Sequence, residues 1–259
     1  MLVHLEVVPT ATSTNDLALE RARDGAPSGT IVMAEEQTQG RGRLGRRWTH
    51  RRGDLVMSLL LDTRGFAPNA LSSLTLVAGV AVARVVRGLG PRAELKWPND
   101  VLVGGKKLAG ILVESYLNRC QVTACVVGVG LNVVAQHQSD LAPEVADQAT
   151  SLGILGVQIE AQELASRVGS AIVNASLRAE RGELPELLAE WTSLSTTVGK
   201  EIEYLAEPQS GQVEPQRVRC FAERIGPDGA LVVRLSNGDE RVIRSGEVSL
   251  VSGRPLSGD

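Results

Sequence analysis

Gly40-Arg41-Gly42-Arg43-Leu44-Gly45-Arg46-Arg47-Trp48 interleaves three glycines with four arginines and closes on a tryptophan. Glycine lets a backbone approach a ligand closely and adopt positive φ. Arginine carries a rigid fork of donors that matches carboxylate and phosphate oxygens. The stretch therefore predicts a mobile loop that closes over an anion. Its alternative is a plain solvated basic loop, since arginines are common in glycine-rich turns.

The flanking sequence gives this loop a scaffold. Residues 3–8 predict a strand, and Thr12-Ser13-Thr14-Asn15 supplies capping residues for a helix that ends at Gly25. Residues 30–35 form a short β-rich run that enters the loop. Beyond it, residues 54–61 are almost continuously apolar, as in a strand buried on both faces. Residues 68–89 predict one long buried helix, and residues 94–97 a brief strand stopped by Pro98. Residues 101–103 and 108–114 flank Gly104-Gly105 and read as a hairpin with a two-glycine turn. Residues 122–129 form another apolar strand, followed by amphipathic helices over 158–181 and 183–194.

The pattern changes near residue 197. Short β-like runs at 201–205, 216–223, 231–235, 240–244 and 248–251 are separated by turn signals such as Pro227-Asp228-Gly229 and Asn237-Gly238. The expectation is an α+β chain: a mixed sheet packed with helices over residues 1–197, then a small β-barrel over 198–259.

Composition narrows the function. The chain has 259 residues, 43% hydrophobic and 22% charged, as in an ordinary globular protein. A net charge of −3 and only 3% aromatic residues argue against a nucleic-acid-binding module built on the loop and the β segment. Apolar runs are too short to span a bilayer, and the N-terminus lacks the basic and apolar regions of a secretory signal. Cys120, Cys125 and Cys220 have no metal-ligand spacing and read as reduced thiols, which places the protein in the cytoplasm. His4, His50 and His137 are scattered. Arginine supplies nearly all the positive charge, with lysine only at positions 96, 106, 107 and 200. Three lysines so close together mark sites where a compact point charge is needed, or a chance cluster.

Several local features follow one another in order: Ser13-Thr14-Asn15, Gln37, the Gly/Arg loop, Lys96-Trp97-Pro98-Asn99-Asp100, Lys106-Lys107-Leu108-Ala109-Gly110-Ile111-Leu112-Val113-Glu114, and Gly128-Val129-Gly130-Leu131-Asn132. Together they resemble the catalytic domain of the biotin protein ligases over roughly residues 10–135. The β segment resembles that family's small SH3-like cap. The resemblance implies a class II synthetase-like catalytic domain. It implies a reaction in which biotin and ATP form biotinyl-5′-adenylate, with transfer of biotin to a lysine of a biotin carboxyl carrier protein.

The residues fit those steps. Biotin's carboxylate must approach the α-phosphate of ATP, and cations have to neutralise their repulsion. The resemblance places Arg41 and Arg43 nearest that encounter, with Gly42 offering its N–H and Arg46 further along the loop. Ser13, Thr14, Asn15 and Gln37 can satisfy the ureido ring; otherwise Ser13 is only a helix cap and Gln37 an exposed loop residue. Lys107 is expected to bridge carboxylate and α-phosphate, while Lys106 points the other way on its strand. Gly110 permits close approach of biotin, or is an ordinary bulge glycine. The nucleotide falls to Arg41, Arg43, Arg46, Trp48, Lys96, Asn99 and Asn132. Trp48 and Trp97 are either core or a lid over adenine, with Trp48 better placed. Asp100 and Asn132 are the candidate oxygen ligands for Mg²⁺, unless Asp100 is merely a turn residue.

Two features depart from the family. Ser13 lies almost at the start of the chain, leaving no room for the DNA-binding helix-turn-helix of many bacterial members, so no specific DNA partner is expected. Some members have an arginine after the final Ser-Leu of the cap, whereas Val251 follows Ser249-Leu250 here. Pairing of two copies through the sheet edge is possible. Lipoate ligases and octanoyltransferases share the architecture and are the rival reading. A transferase would need a cysteine nucleophile, and no cysteine falls in a candidate motif.

Overall fold

A computed structural model describes residues 3–118, 121–206, 216–246 and 248–251. Its centre is β3 (Leu55–Asp62), in which every residue except Asp62 is buried. This continuous apolar run is what a strand covered on both faces requires. Around it lies a seven-stranded sheet in the order β1-β2-β3-β7-β6-β5-β4. The other members are β1 (His4–Ala11), β2 (Thr30–Gln37), β4 (Ala93–Lys96), β5 (Asp100–Val103), β6 (Lys106–Asn118) and β7 (Gln121–Leu131). Strands β1 and β2 pair in parallel and the remaining neighbours antiparallel, so the sheet is mixed.

Helix α1 (Thr14–Arg23) covers one face, with Ala18 packed against Val32, Leu60 and Val126. The opposite face carries the main core under α3 (Leu74–Gly88), α4 (Ala161–Arg178) and α5 (Leu184–Ser193). The single helix expected over residues 68–89 is interrupted. A short α2 (Pro68–Ser72) precedes α3, and the break falls at fully buried Ser73. The C-terminal segment presses on that point: the Ser72 hydroxyl donates to the carbonyl of Asp228, and a Cβ on Gly229 would lie 3.0 Å from the Ser73 Oγ. The helix expected over 158–181 ends at Arg178 and continues as a wide turn (Ala179–Glu183) in which Gly182 has φ +95°.

Beyond α5 the chain forms a five-stranded antiparallel sheet in the order β11-β10-β9-β8-β12. Its strands are β8 (Lys200–Ala206), β9 (Gln216–Ile225), β10 (Leu231–Leu235), β11 (Glu240–Ile243) and β12 (Val248–Leu250). Ile202, Cys220, Ala222, Leu231 and Val233 join the main core. Trp97 is buried at this junction, where its backbone N–H donates to the Thr197 hydroxyl at 3.0 Å and its indole N–H to the Gly229 carbonyl at 3.1 Å. Of the two readings of Trp97, the structure thus gives the core. Among the described residues no helix is long and apolar enough to cross a membrane. Cys125 and Cys220 are free and buried, while Cys120 lies outside the described residues.

Candidate active site

The α1 face of the sheet carries a row of paired residues across five strands. Lys96 on β4 faces Asp100 on β5, which faces Gly110 on β6, then Gly130 on β7 and Val56 on β3. One step along, Ser58 on β3 faces Gly128, and Gly128 faces Leu112. The two central glycines leave the middle of the first row bare. Above the two rows is a cavity of about 720 Å³. It is lined by Ser13, Thr14, Asn15, Gln37, Arg41, Gly42, Arg43, Arg46, Trp48, Lys96, Asn99, Asp100, Lys107, Gly110 and Asn132, so every site residue expected from the sequence borders one space. The C-terminal sheet adds Val248, Ser249 and Leu250 to its wall.

The Gly/Arg segment folds as a small hairpin. The Gly42 N–H donates to the Arg46 carbonyl at 2.7 Å and the Trp48 N–H to the Gly40 carbonyl at 2.9 Å. Leu44 and Gly45 make its tip with φ of 55° and 74°. Trp48 then lies on the glycine pair: a Cβ on Gly130 would sit 2.3 Å from its Cε2, and one on Gly110 3.1 Å from its Cζ3. The Lys107 ammonium is 5.6 Å from the centre of the Trp48 ring.

Lys107 reaches this face because of a bulge. From Gly110, strict alternation would place Leu108 and Lys106 over the cavity. The register between β5 and β6 shifts after Val101, so that Val101 faces Ala109 but Leu102 faces Lys107. Leu108 is thereby fully buried in the core, and Lys107 joins Asp100 and Leu102 on the cavity side. Its Nζ stands 2.6 Å from Asp100 Oδ1. Backbone bonds to Gln148 (2.7 Å) and from Thr150 (2.9 Å) hold Lys107 in place.

A polar network fills the end under α1. The Thr14 N–H (2.8 Å) and hydroxyl (3.1 Å) both donate to Gln37 Oε1, which turns the Gln37 NH₂ the other way as a donor. Asn15 Nδ2 donates to Glu114 Oε2 at 2.5 Å, and its Oδ1 accepts from the Ser58 hydroxyl at 2.6 Å. Ser13 occupies the N-cap position of α1, yet its hydroxyl makes no capping bond. The Gln37 N–H donates to His50 Nε2 at 3.1 Å, and burial lowers the pKa of this imidazole.

Arg41 borders the cavity, but its guanidinium is committed to the protein. It grips Asp16 through two contacts of 2.6 Å and lies 3.4 Å from Glu114. The hydrogen bonds from Arg41 hold the Asp16 carboxyl below its ordinary pKa, and those same bonds raise the pKa of Arg41. Asn132 donates its amide to the Thr150 carbonyl at 2.9 Å, leaving its carbonyl oxygen as the atom suited to a cation. Among the described residues no three His, Cys, Asp or Glu side chains gather in a metal-binding group.

Sequence reasoning missed Ser58, Asp16, Glu114 and His50. Ser58 was visible as the one hydroxyl inside an apolar run; the partners of the other three depend on tertiary contacts.

Residues 7–132 match the biotin/lipoate A/B protein ligase family. The chain is 40% identical over 206 residues to the biotin–[acetyl-CoA-carboxylase] ligase of Mycobacterium tuberculosis, covering 76% of this chain and 73% of that protein. It is 32% identical over 241 residues to the enzyme of the same name from Paracoccus denitrificans, covering 91% and 96%. The chain belongs to this ligase family. With another family member, the bifunctional ligase/repressor BirA of Bacillus subtilis, it shares 39% identity over 150 residues; that match takes in 58% of this chain and about half, 46%, of the relative. Among solved structures, the biotin protein ligase of Aquifex aeolicus in complex with biotin and ATP superposes with a TM-score of 0.79 at 28% identity, covering 96% of this chain and 99% of the other.

Proposed function

We propose that the chain is an ATP-dependent ligase that activates biotin and transfers it to a lysine of a biotin carboxyl carrier protein. The observation that carries this reading is the shared cavity that every expected biotin and ATP residue borders. Family membership and the likeness to a ligase holding biotin and ATP support it.

In the first step a carboxylate oxygen of biotin attacks the α-phosphorus of ATP, and pyrophosphate leaves with the bond it breaks. Two like charges 4 Å apart repel by about 4 kcal/mol at an effective dielectric near 20, so the cations around them decide whether they meet. Lys107 is the compact charge between the two reactants, fixed by Asp100 and by its backbone bonds. Arg43 and Arg46 bring charge from the hairpin, and Lys96 from the far end of the row. Asn99 holds the turn before Asp100 by donating from its side chain to the Ile111 carbonyl at 3.0 Å. Asp100 and the Asn132 carbonyl form a donor set suited to Mg²⁺, which takes few protein oxygens and fills its shell with phosphate and water. When bound, Mg²⁺ would offset phosphate charge.

The ureido ring belongs at the α1 end, where Ser13, Thr14, Asn15 and Gln37 meet. Gln37 presents N–H donors there, complementary to a carbonyl acceptor. In the second step the carrier's lysine amine attacks the acyl carbon, AMP leaves, and the amine loses a proton. A free lysine has a pKa of about 10.4, so a nearby carboxylate that steers or deprotonates it speeds attack; of Asp100 and Asp147, which both line the cavity, we assign Asp100, the one beside Lys107.

The test is direct. The protein, ATP, Mg²⁺, biotin and a carrier domain are incubated, with lipoate replacing biotin in a parallel arm. Biotin-dependent pyrophosphate release and biotinylated carrier are expected; modification with lipoate alone would replace this reading with the rival one. A cysteine-dependent transferase is disfavoured because neither Cys125 nor Cys220 lines the cavity, and burial pushes the Cys220 thiol up to about 11.

A further inference from the structure

We propose that Glu114 and Asp16 are positioning residues that fasten the Gly/Arg hairpin to the ureido end of the pocket, with Arg41 as the pin between them; this rests on the biotin reading above. Asn15 and Arg41 line the cavity, whereas Glu114 and Asp16 stand behind them and do not. Glu114 Oε2 serves both: it accepts from Asn15 Nδ2 at 2.5 Å and faces Arg41 Nη2 at 3.4 Å. Because the carboxylate can only accept, it fixes the Asn15 amide with its nitrogen toward β6 and its oxygen toward Ser58. Asp16 completes the clamp through the guanidinium fork, at 2.6 Å on each oxygen.

One side chain therefore links the orientation of a ring-binding amide to the docking of the loop. The arrangement also bears on what Arg41 can do. A guanidinium held by two carboxylates has no net charge to spare for a ligand anion, so Arg41 anchors the hairpin. The role assigned to Arg41 from sequence changes from neutralising charge to holding the loop.

The experiment compares Glu114→Gln and Asp16→Asn with wild type by biotin-dependent pyrophosphate release. Arg167→Gln, which breaks an exposed ion pair with Glu163 on α4, is the control. Losing the two-point grip on Asp16, or the charge-assisted bonds that Glu114 accepts from Asn15 and Arg41, is expected to raise the KM for biotin about tenfold in each of the two variants. The KM for ATP should move less than twofold, and the melting temperature should stay at the wild-type value. Tryptic cleavage within the hairpin without ligand should quicken in both. Arg167→Gln should change none of these. Unchanged biotin KM in both variants would overturn the inference, as would biotin KM, ATP KM and melting temperature shifting together, the mark of a merely structural role. If wild type itself releases no pyrophosphate with biotin, the function falls and the inference with it. Wild-type turnover with unaltered variants sinks the inference alone.

Discussion

Replacing Gly130 by alanine should disable the site with little effect on the fold. The added Cβ would lie 2.3 Å from Trp48 Cε2, 2.5 Å from Nε1 and 2.6 Å from Cζ2. Carbon atoms in contact prefer about 3.5–4.0 Å, so the indole must retreat by roughly an ångström or more. Overpacking of this kind costs about 1–3 kcal/mol when the surroundings cannot give. Here they can give, because Trp48 closes a surface hairpin; the strain is relieved by lifting the ring and hairpin from the sheet. A reacting group misplaced by about 1 Å loses on the order of a hundredfold in rate. Biotinyl-adenylate formation should therefore fall by about that factor while the melting temperature changes by only a few degrees. Gly110→Ala is the internal comparison: its Cβ meets Trp48 at 3.1 Å and Lys107 at 3.4 Å, a gap closed by a few tenths of an ångström. It should lose less activity than Gly130→Ala. Tryptophan fluorescence gives a second readout, since Trp97 and Trp191 are 2% and 1% exposed and a changed spectrum reports Trp48. Wild-type turnover and spectrum in Gly130→Ala, or a larger loss in Gly110→Ala, would refute the packing argument.

Other outcomes follow from the same geometry. Lys107→Arg should impair adenylate formation although charge is kept, because a guanidinium is larger and seeks a two-point partner, whereas Lys106→Arg should behave as wild type; measuring the two side by side decides which lysine faces the reaction. Asp100→Ala should lose most adenylate formation at saturating Mg²⁺ yet keep the fold, since its side chain is 20% exposed and its recorded ion pair is with Lys107; circular dichroism alongside pyrophosphate release checks both halves. Burial holds the His50 pKa below that of a free imidazole, about 6.5. The unfolded chain therefore binds a proton there that the folded chain resists, so stability falls as pH drops below about 6.5 toward the folded value; thermal melts across that range should show this slope, and His50→Gln should flatten it. Biotin and ATP together should slow proteolysis within the hairpin, and equal cleavage with and without them would contradict loop closure.

Strand positions were legible in the sequence because apolar alternation and turn glycines act locally. The buried run that became β3 and the Gly104-Gly105 turn, with φ of 57° and 77°, needed no tertiary information. The break at Ser73 was not legible, since it depends on a turn more than 150 residues further along the chain (|i−j| = 156). The site shows the same division. That Lys107 would face the ligand was expected from the resemblance, whereas alternation from Gly110 favours Lys106; a bulge that exchanges the faces of Lys107 and Leu108 brings Lys107 to the cavity. The ion pairs of Arg41 were not legible, because its acidic partners lie 25 and 73 positions away and carry no local signature. Residue type announces what chemistry is possible. Which carboxylate has already claimed an arginine is settled only by packing.

On the proposed function, the cross-strand row also bears on which way the ligand runs. At the β4–β5 end stand Lys96 and Asp100, at the β3 end stand Val56 and, one step along, the Ser58 network under α1. Between them Gly110 and Gly130 offer only backbone, against which the Trp48 ring packs. A triphosphate placed over Val56 would lose its hydration against apolar carbon beside an Arg41 already held by Asp16 and Glu114, whereas at the Lys96 end it meets an ammonium. A neutral ureido ring over Lys96 would leave the Thr14–Gln37 and Asn15–Ser58 groups facing nothing. On the proposed function, each half of the substrate is therefore assigned the end that suits it, and the two reacting centres would meet between them, near Lys107. The polarity of the row makes the encounter of carboxylate and phosphate a consequence of binding.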